Sequence, residues 1–301
     1  MNSSSRRDFL KTAATVASAA SFGLPAMGSS FSTAAPAEIK KGLVYDMLPK
    51  RMSHPDRCKL ARDAGFVVVQ ASTTPDEKEA EAIRNAASAA GIRIDSVMNM
   101  AHWEFPLSSP DPQVVEKSLS GARTSLHNAK LWGSGVVLIV PAVVNAQTSY
   151  RDAWTRSQAQ IRRLIPLAQE LGVVIGIEEV WNKFLLSPLE MAAYIDEFKS
   201  PVIQAWFDVG NVVLYGYPQD WIRSLGKRIA KLHVKDFKRK EGGYEWVNLG
   251  DGDVDWGAVR QALADINYSG SAIAELEGGN SKNEAYFRDI GTRMDRLVLG
   301  K

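Results

Sequence analysis

The feature that most constrains this chain is an eightfold alternation of short apolar runs with longer amphipathic stretches. The runs are rich in Val and Ile and too short for helices, so each predicts a strand. They occupy residues 42–47, 66–72, 94–100, 135–142, 172–180, 202–209, 229–237 and 271–277. Strand and helix repeated eight times predicts parallel pairing in a closed (β/α)8 TIM barrel.

The stretches between the runs carry helix start and stop signals. TPDE from residue 74 and SPLE from residue 187 each place a hydroxyl before Pro and Glu, which predicts Thr74 and Ser187 as N-caps. Gly65, Gly91 and Gly172 precede predicted strands, where glycine commonly ends a helix. A doubly wound open sheet is the alternative, but it usually carries a phosphate loop, and no G-x-G-x-x-G follows the first strand.

Charge and composition exclude several classes of protein. The 301 residues have a net charge of +2, and all of it comes from Arg6, Arg7 and Lys11 against Asp8. The rest of the chain is neutral, so no basic stripe indicates a nucleic acid partner. No uncharged apolar run of 18 residues predicts a stable membrane anchor. The single cysteine, Cys58, excludes an internal disulfide and a cysteine zinc cluster.

The leader, SSSRRDFLK over residues 3–11 followed by an Ala-rich stretch, resembles a twin-arginine export signal. We therefore predict a signal peptide and linker over residues 1–37, with cleavage after Ala-Pro-Ala at 35–37, and a barrel over 38–301. The resemblance implies a periplasmic protein that meets the twin-arginine translocation machinery during export. Proteins on this route fold before crossing, often with a cofactor bound, which points mildly to a metal.

Polar residues lie at the carboxyl ends of the last four predicted strands. The period-two alternation directs one set of side chains to the helices and the other to the barrel axis. With the residue before each of them facing the helices (Ile177, Phe207, Leu232 and Ala274), Glu178, Asp208, His233 and Glu275 face the axis. The carboxyl-terminal face is where barrel enzymes build their active sites, so the four side chains are expected to converge there.

Three converging carboxylates repel one another unless a cation or protons compensate them. A divalent metal is the simplest compensation. Three carboxylates and one imidazole suit Mn²⁺ or Mg²⁺ first, with Zn²⁺ or Co²⁺ also acceptable. Asp236 and Glu277 are reserve candidates as ligands, although structural pairing is the commoner role for such residues.

The runs IEEVWNKFLLSP, FDVGN, KLHVKDF and AIAELEGG also resemble the sugar isomerase and epimerase family with the xylose-isomerase-like barrel. This group includes ketose 3-epimerases, hydroxypyruvate isomerase and inosose dehydratase. The resemblance implies the same four metal ligands, Glu178 and Glu275 as the acid/base pair, and Asn211 and Arg239 as substrate contacts. Two departures put the substrate in question: family epimerases usually have His at the position of Asn211, and a Glu where the second strand offers Gln70.

Three further residues are candidates for substrate binding. Trp181 and Asn182 follow the fifth strand, where a loop aromatic could stack on a sugar ring or cover the core. Lys235 follows His233 by two residues and, with Lys183 and Arg239, could bind an anionic group or balance the acidic cluster. Both interpretations stay open for these cations.

The expected chemistry starts with a ketose or related keto-sugar that chelates the ion through its carbonyl and adjacent hydroxyl oxygens. The ion stabilises the enediolate that forms when a carbon-bound proton leaves. Return of the proton on the opposite face epimerises the centre, return to the neighbouring carbon isomerises it, and expulsion of a β-substituent makes the enzyme a lyase or dehydratase acting on a keto-glycoside or inosose. The sequence does not separate these fates.

Two functions of other classes are alternatives: a non-catalytic subunit and a nuclease acting on abasic DNA. A non-catalytic sugar-binding or partner subunit would not need an intact ligand set. Cleavage of abasic DNA on such a barrel uses more histidines and a basic groove, whereas this chain has four His and a neutral body. Export favours a free sugar over a phosphorylated one. Homo-oligomerisation is left open by the sequence.

Overall fold

The strands of the barrel are short and buried, and their bounds follow the apolar runs of the sequence. The protein is described here by a computed structural model of residues 38–301. The barrel strands are β1 (Lys40–Val44), β2 (Val68–Ser72), β3 (Arg93–Met98), β4 (Val136–Ile139), β5 (Val174–Glu178), β6 (Ile203–Asp208), β7 (Ile229–Val234) and β10 (Ser271–Ala274). The predicted signal peptide, residues 1–37, lies outside the described residues.

These eight strands form a closed parallel barrel in the order β1-β10-β7-β6-β5-β4-β3-β2. The ring closes where Lys40–Leu43 pair with Ser271–Ala274. The predicted (β/α)8 barrel is therefore confirmed, and the doubly wound alternative is excluded because an open sheet has two unpaired edges.

Helices cover the outside of the barrel. They are α1 (His54–Asp63), α2 (Glu77–Ala90), α3 (Ala101–Glu104), α4 (Pro112–Trp132), α5 (Tyr150–Arg162), α6 (Ile165–Leu171), α7 (Pro188–Asp196), α8 (Pro218–Leu225), α9 (Trp256–Asp265) and α10 (Glu284–Met294). None of the helices within residues 38–301 combines the length and the apolar character needed to cross a membrane.

Of the two predicted N-caps, the one of α7 is confirmed and the one of α2 is wrong. Ser187 caps α7 as predicted, with its side chain accepting a hydrogen bond from the Glu190 amide. Thr74 was predicted to cap α2, but Asp76 does so, accepting from two amides of the first turn. A carboxylate is a strong acceptor near the positive end of a helix dipole, and the Thr74 hydroxyl instead accepts from the Asp76 amide in the turn before it.

The seventh strand is shorter than predicted. Residues 229–237 were expected to form one strand, but β7 ends at Val234, and Asp236 begins a separate hairpin of β8 (Asp236–Lys240) and β9 (Gly243–Val247). The barrel neighbour β10 pairs with β7 only as far as Ala274 with Val234. Beyond that point the chain loses its ladder partner, so it pairs antiparallel with the segment that follows and leaves the barrel.

The upper interior of the barrel is filled by Trp206, which is fully buried and packs edge-on against the His233 ring at 4.9 Å. Gly176 on the adjacent strand makes room for it, since a Cβ there would lie 3.2 Å from the Trp206 Cβ. The lower interior holds an ion pair between Lys231 and Asp95, and Asp95 also accepts from Ser271. The site above is therefore supported by a packed floor.

Candidate metal centre

Four ligand-bearing side chains meet at the carboxyl-terminal mouth of the barrel. Glu178 ends β5, Asp208 ends β6, His233 is the second-last residue of β7, and Glu275 directly follows β10. One ligand atom from each lies within 4.8 Å of those from the other three. The first three are buried, whereas the Glu275 side chain is 30% exposed and faces the opening. The structure thus brings together the four residues selected by strand parity.

The centre of the cluster is His233 Nδ1. It lies 2.7 Å from Glu178 Oε1, 3.4 Å from Glu275 Oε2 and 3.8 Å from Asp208 Oδ2. The other ring nitrogen, Nε2, is 2.7 Å from Gln70 Oε1. Because a carbonyl oxygen only accepts, the tautomer that carries its proton on Nε2 would donate that proton to Gln70. In the neutral imidazole the Nδ1 lone pair is then directed into the carboxylate cluster, as a metal ligand requires.

Asp208 is held so that one oxygen remains available. Its Oδ1 accepts from the amides of Gly210 and Asn211, both at 2.8 Å. Its Oδ2 is fully buried and has no partner with hydrogen-bond geometry, although the Lys235 amine lies 2.9 Å away. Gly210 permits this turn because a Cβ there would lie 2.9 Å from the Lys235 carbonyl oxygen. This buried carboxylate oxygen thus faces one amine but accepts no well-aligned hydrogen bond, which leaves it available to a further cation.

Lys235 was predicted to contact substrate, and it lies inside the acidic cluster. Its amine is 2.6 Å from Glu275 Oε2 and 2.9 Å from Asp208 Oδ2. Burial alone would lower the pKa of Lys235, but the surrounding carboxylates outweigh it and raise the pKa. One ammonium against three carboxylates leaves the cluster negative. The donor set therefore fits a hard divalent cation bound by Glu178, Asp208, His233 and Glu275.

The two glutamates have different electrostatic surroundings. Burial raises the pKa of Glu178 to about 7, against the opposing effect of His233. Burial would also raise the pKa of Glu275, but the charges of Lys235 and then His233 outweigh it and lower the pKa to about 2. For His233, burial is again opposed by the carboxylates, whose net effect raises its pKa.

Glu179 is a buried participant that the sequence analysis did not single out. Its Oε1 accepts from the Asp208 amide at 2.8 Å, and its Oε2 is buried without a partner. Burial, together with the charges of Asp208 and Glu178, raises the pKa of Glu179 well above its ordinary value. The only signal was a second glutamate in the IEEV run. The period-two alternation directs the Glu179 side chain toward the helices, and strand parity therefore does not select it as a site residue.

Three predicted substrate contacts also serve the local framework. The Asn211 amide donates to the Glu179 carbonyl at 2.9 Å, and the Trp181 indole donates to the Asn211 carbonyl at 2.9 Å. Asn182 donates to the Ala142 carbonyl and accepts from the amide of Phe184. Asn211, Trp181 and Asn182 nevertheless line a cavity beside the cluster. Their position is compatible with the predicted role.

The remaining candidates lie away from the cluster. Arg239 is on the hairpin, exposed, with its guanidinium donating to the Val213 carbonyl. The Glu277 side chain is 83% exposed and pairs with Lys282. Asp236 is buried and accepts from the amides of Phe237, Gly250 and Val254 and from the Trp256 indole, so it organises the loop after the hairpin. Neither reserve carboxylate is brought into the ligand set.

Two cavities open beside the cluster. The smaller, about 250 Å³, is bordered by Glu178, Trp103 and Trp181, and the larger, about 630 Å³, by Tyr286 and Asn248. Lys235, Trp246 and Glu275 border both. Trp246 belongs to the unpredicted hairpin, which is why the sequence analysis did not identify it.

Comparison with known proteins agrees with this geometry. The family model described as xylose isomerase-like TIM barrel matches residues 58–294. The L-ribulose-5-phosphate 3-epimerase UlaE of Escherichia coli O1:K1 / APEC is 25% identical over 259 residues, covering 82% of this chain and 90% of that protein. Among solved structures, D-psicose 3-epimerase with D-fructose has a TM-score of 0.72 at 19% identity, covering 87% of this chain and all of that one. The 3-keto-D-glucoside 4-epimerase YcjR from E. coli has a TM-score of 0.71 at 13% identity, covering 84% and 97%.

The closed barrel, the cluster at its mouth and the match over most of the chain define the class: the chain belongs to the xylose isomerase-like TIM barrel family. Its homologues include ketose 3-epimerases, and the protein is an enzyme of the isomerase and epimerase class.

Proposed function

We propose that the protein is a divalent-metal-dependent epimerase or isomerase of a ketose or related keto-sugar. The ion, with Mn²⁺ favoured, would be held by Glu178, Asp208, His233 and Glu275. The observation that supports this proposal best is the convergence of their four ligand atoms within 4.8 Å at the catalytic face of the barrel. When bound, the ion polarises the sugar carbonyl and stabilises the negative charge that develops when a proton leaves carbon.

The two glutamates are suited to move that proton. Glu178 is the last residue of β5, and Glu275 directly follows β10. In the barrel, β6 and β7 lie between these two strands. The two carboxylates therefore reach the mouth from different directions. One removes the proton from the carbon next to the carbonyl, and the other returns a proton to the opposite face, which inverts the centre. Return to the neighbouring carbon gives the isomerised product.

Other residues position the sugar and exclude water. Trp103, Trp181 and Trp246 border the smaller cavity, where their rings present apolar faces to a sugar and shield the reacting carbon. Lys235 holds the Glu275 carboxylate in place, with its amine donating to Oε2 at 2.6 Å. Asn211 and Asn182 are proposed to donate to sugar hydroxyls from the same wall.

The test is metal analysis combined with solvent proton exchange. We expect purified protein loaded with Mn²⁺ to contain one ion per chain and to incorporate deuterium from D₂O into D-fructose, with formation of an epimer or isomer followed by NMR. Removal of the ion by a chelator should stop the exchange, and added Mn²⁺ should restore it. Absence of a stoichiometric ion in active protein would contradict the proposal. Release of a β-substituent instead of an epimer would identify a lyase.

We also propose that the protein is exported to the periplasm through the twin-arginine translocation machinery. The support is the pair Arg6 and Arg7 followed by Phe-Leu-Lys and an Ala-rich stretch. In a host with this machinery, full-length protein should fractionate with the periplasm. The double variant Arg6→Lys, Arg7→Lys should stay in the cytoplasm. Cytoplasmic retention of the unaltered chain would contradict the assignment.

A further inference from the structure

The reacting end of the site is small, and a larger cavity continues beyond it. Glu178 and the two tryptophans Trp103 and Trp181 border a space of about 250 Å³. Lys235, Glu275 and Trp246 border both this space and the cavity of about 630 Å³. Because three residues border both cavities, the cavities are adjacent, and a long ligand bound at the ion would extend from the smaller cavity into the larger one. Ligand sites commonly span several hundred cubic ångströms, but a single sugar unit would leave the larger cavity unused.

The charge of the larger cavity argues for a neutral occupant. Its cations are Lys235, which bonds Glu275, and Lys282, whose amine lies 3.1 Å from Glu277 Oε2. Two lysines are thus matched by two glutamates. A phosphate group placed there would face both carboxylates and would have no unpaired cation to bind. The cavity is therefore a poor site for the phosphate of a sugar phosphate.

The walls of the larger cavity suit a sugar ring. Trp246 stands at the boundary with 45% of its surface exposed, and it is held in place by Trp181 at 4.9 Å and Phe237 at 5.5 Å. Tyr286 forms the far wall, fixed by a 2.5 Å hydrogen bond from its hydroxyl to the Glu277 carbonyl. Rigid aromatic faces beside polar groups such as the Asn248 amide match a ring with C–H faces and a hydroxyl rim.

We propose that the preferred substrate is a glycosylated keto-sugar, in which the keto unit occupies the smaller cavity and a second, neutral sugar ring occupies the larger one. This inference rests on the proposed function, because the chemistry at the keto unit is the same. It adds the substrate class: an oxygen-linked disaccharide, as opposed to a free or phosphorylated monosaccharide. The linking oxygen lies near Trp246, where the two cavities meet.

The experiment compares sugars that share one reacting unit. D-Fructose is set against 4-O- and 6-O-α-D-glucopyranosyl-D-fructose, so that the point of attachment is not assumed. Deuterium exchange at the carbon next to the carbonyl is measured with the Mn²⁺-loaded protein. We expect kcat/KM to be at least tenfold higher for one of the disaccharides than for D-fructose. Titration followed by tryptophan fluorescence should give a correspondingly lower Kd for that disaccharide.

Two variants alter the larger cavity without touching the metal centre. Val247→Trp fills it from the hairpin, and Tyr286→Ala removes its far wall. Each should lower the disaccharide preference at least tenfold while exchange into D-fructose stays within about threefold of the wild type. Tyr217→Ala is the matched control, since this ring is 71% exposed and borders neither cavity. It should change neither rate. Thermal unfolding establishes that each variant is folded, and the two variants are independent of each other.

The outcomes separate this inference from the proposed function. Exchange into D-fructose with no preference for either disaccharide overturns the inference alone. A preference that survives in both folded cavity variants also overturns it. Absence of exchange into all three sugars, with the ion bound, overturns the proposed function and the inference with it.

Discussion

At the scale of single residues, the proposed chemistry depends on Glu178 and Glu275. We expect Glu178→Gln and Glu275→Gln each to slow proton exchange by about 10²–10⁴-fold, because an amide neither accepts nor returns the proton. Exchange is measured by NMR in D₂O at saturating Mn²⁺, with elemental analysis to separate loss of the proton carrier from loss of the ion. Glu81→Gln, on the exposed face of α2, is the control and should leave the rate unchanged. Full exchange in either test variant would remove that residue from the acid/base pair.

Gln70 is also open to test at this scale, because its Oε1 lies 2.7 Å from His233 Nε2 and would fix the orientation of that ring. Gln70→Leu removes the acceptor for the Nε2 proton, and we expect the Mn²⁺ affinity to fall by about 10- to 100-fold in calorimetric titration. Gln70→Glu keeps an acceptor at the same position and should retain the affinity within about tenfold. Equal affinities for the wild type and the leucine variant would show that the contact does not orient the ligand.

At the scale of elements, strand parity predicts the convergence of the four candidate ligands because it depends only on where each strand ends and which way it faces. The eight strands follow their apolar runs, and Glu178, Asp208 and His233 lie where the alternation places them. The hairpin of β8 and β9 was missed for a physical reason. The polar and apolar alternation of KLHVKDF continues past Val234 and does not mark the end of the barrel strand. The change of pairing partner depends on where β10 ends, and this is set by tertiary structure.

The same limit applies to Trp246 and Arg239, which lie on that hairpin. The family resemblance implies a substrate contact for Arg239, but this residue borders neither of the two cavities beside the cluster. Trp246 is a site residue because the folded hairpin places it at the smaller cavity beside Glu178 and Glu275, and the sequence alone does not indicate this placement. Residues that border the site from an element inserted after a barrel strand are therefore not revealed by sequence periodicity.

Asp236 anchors this element, and its removal tests how the hairpin is held. Four donors point at its buried carboxylate, so Asp236→Ala leaves them unpaired and should lower the free energy of unfolding by roughly 3 kcal/mol or more. Gly252→Ala should act in the same direction, because its new Cβ would overlap the Asp236 carboxylate. Urea unfolding followed by tryptophan fluorescence measures both. A loss below about 1 kcal/mol in Asp236→Ala would contradict the anchoring role.

At the scale of the whole molecule, the barrel is closed below the site by the pair of Asp95 and Lys231. Burial opposes ionisation of both groups. For Asp95 the charges of Lys231 and Arg93 and the Ser271 hydroxyl outweigh burial and lower the pKa, whereas for Lys231 burial prevails over Asp95 and lowers the pKa. The carboxylate is thus the better compensated partner. Its loss would leave Lys231 as an unpaired charge in the barrel interior.

We expect Asp95→Asn to lower the free energy of unfolding by about 3 to 5 kcal/mol at pH 7. Because the pKa of Asp95 is lower in the folded state, its contribution is present above the unfolded value near 4 and is lost as the pH falls through the folded value. The difference between wild type and variant should therefore shrink below about pH 4. Urea unfolding at several pH values measures this, and Asp220→Asn on the exposed surface of α8 serves as the control. A difference that stays constant with pH would rule out this linkage.

The hairpin that shelters the mouth pairs only with itself and shares no ladder with the barrel. Apart from the buried Asp236 and Phe237, its residues can therefore vary without disturbing the ring of barrel strands. We expect exchange of residues 238–247 between related enzymes to change which sugars are accepted and to leave the proposed acid/base pair in place, so substrate range in such enzymes need not be encoded in the barrel strands.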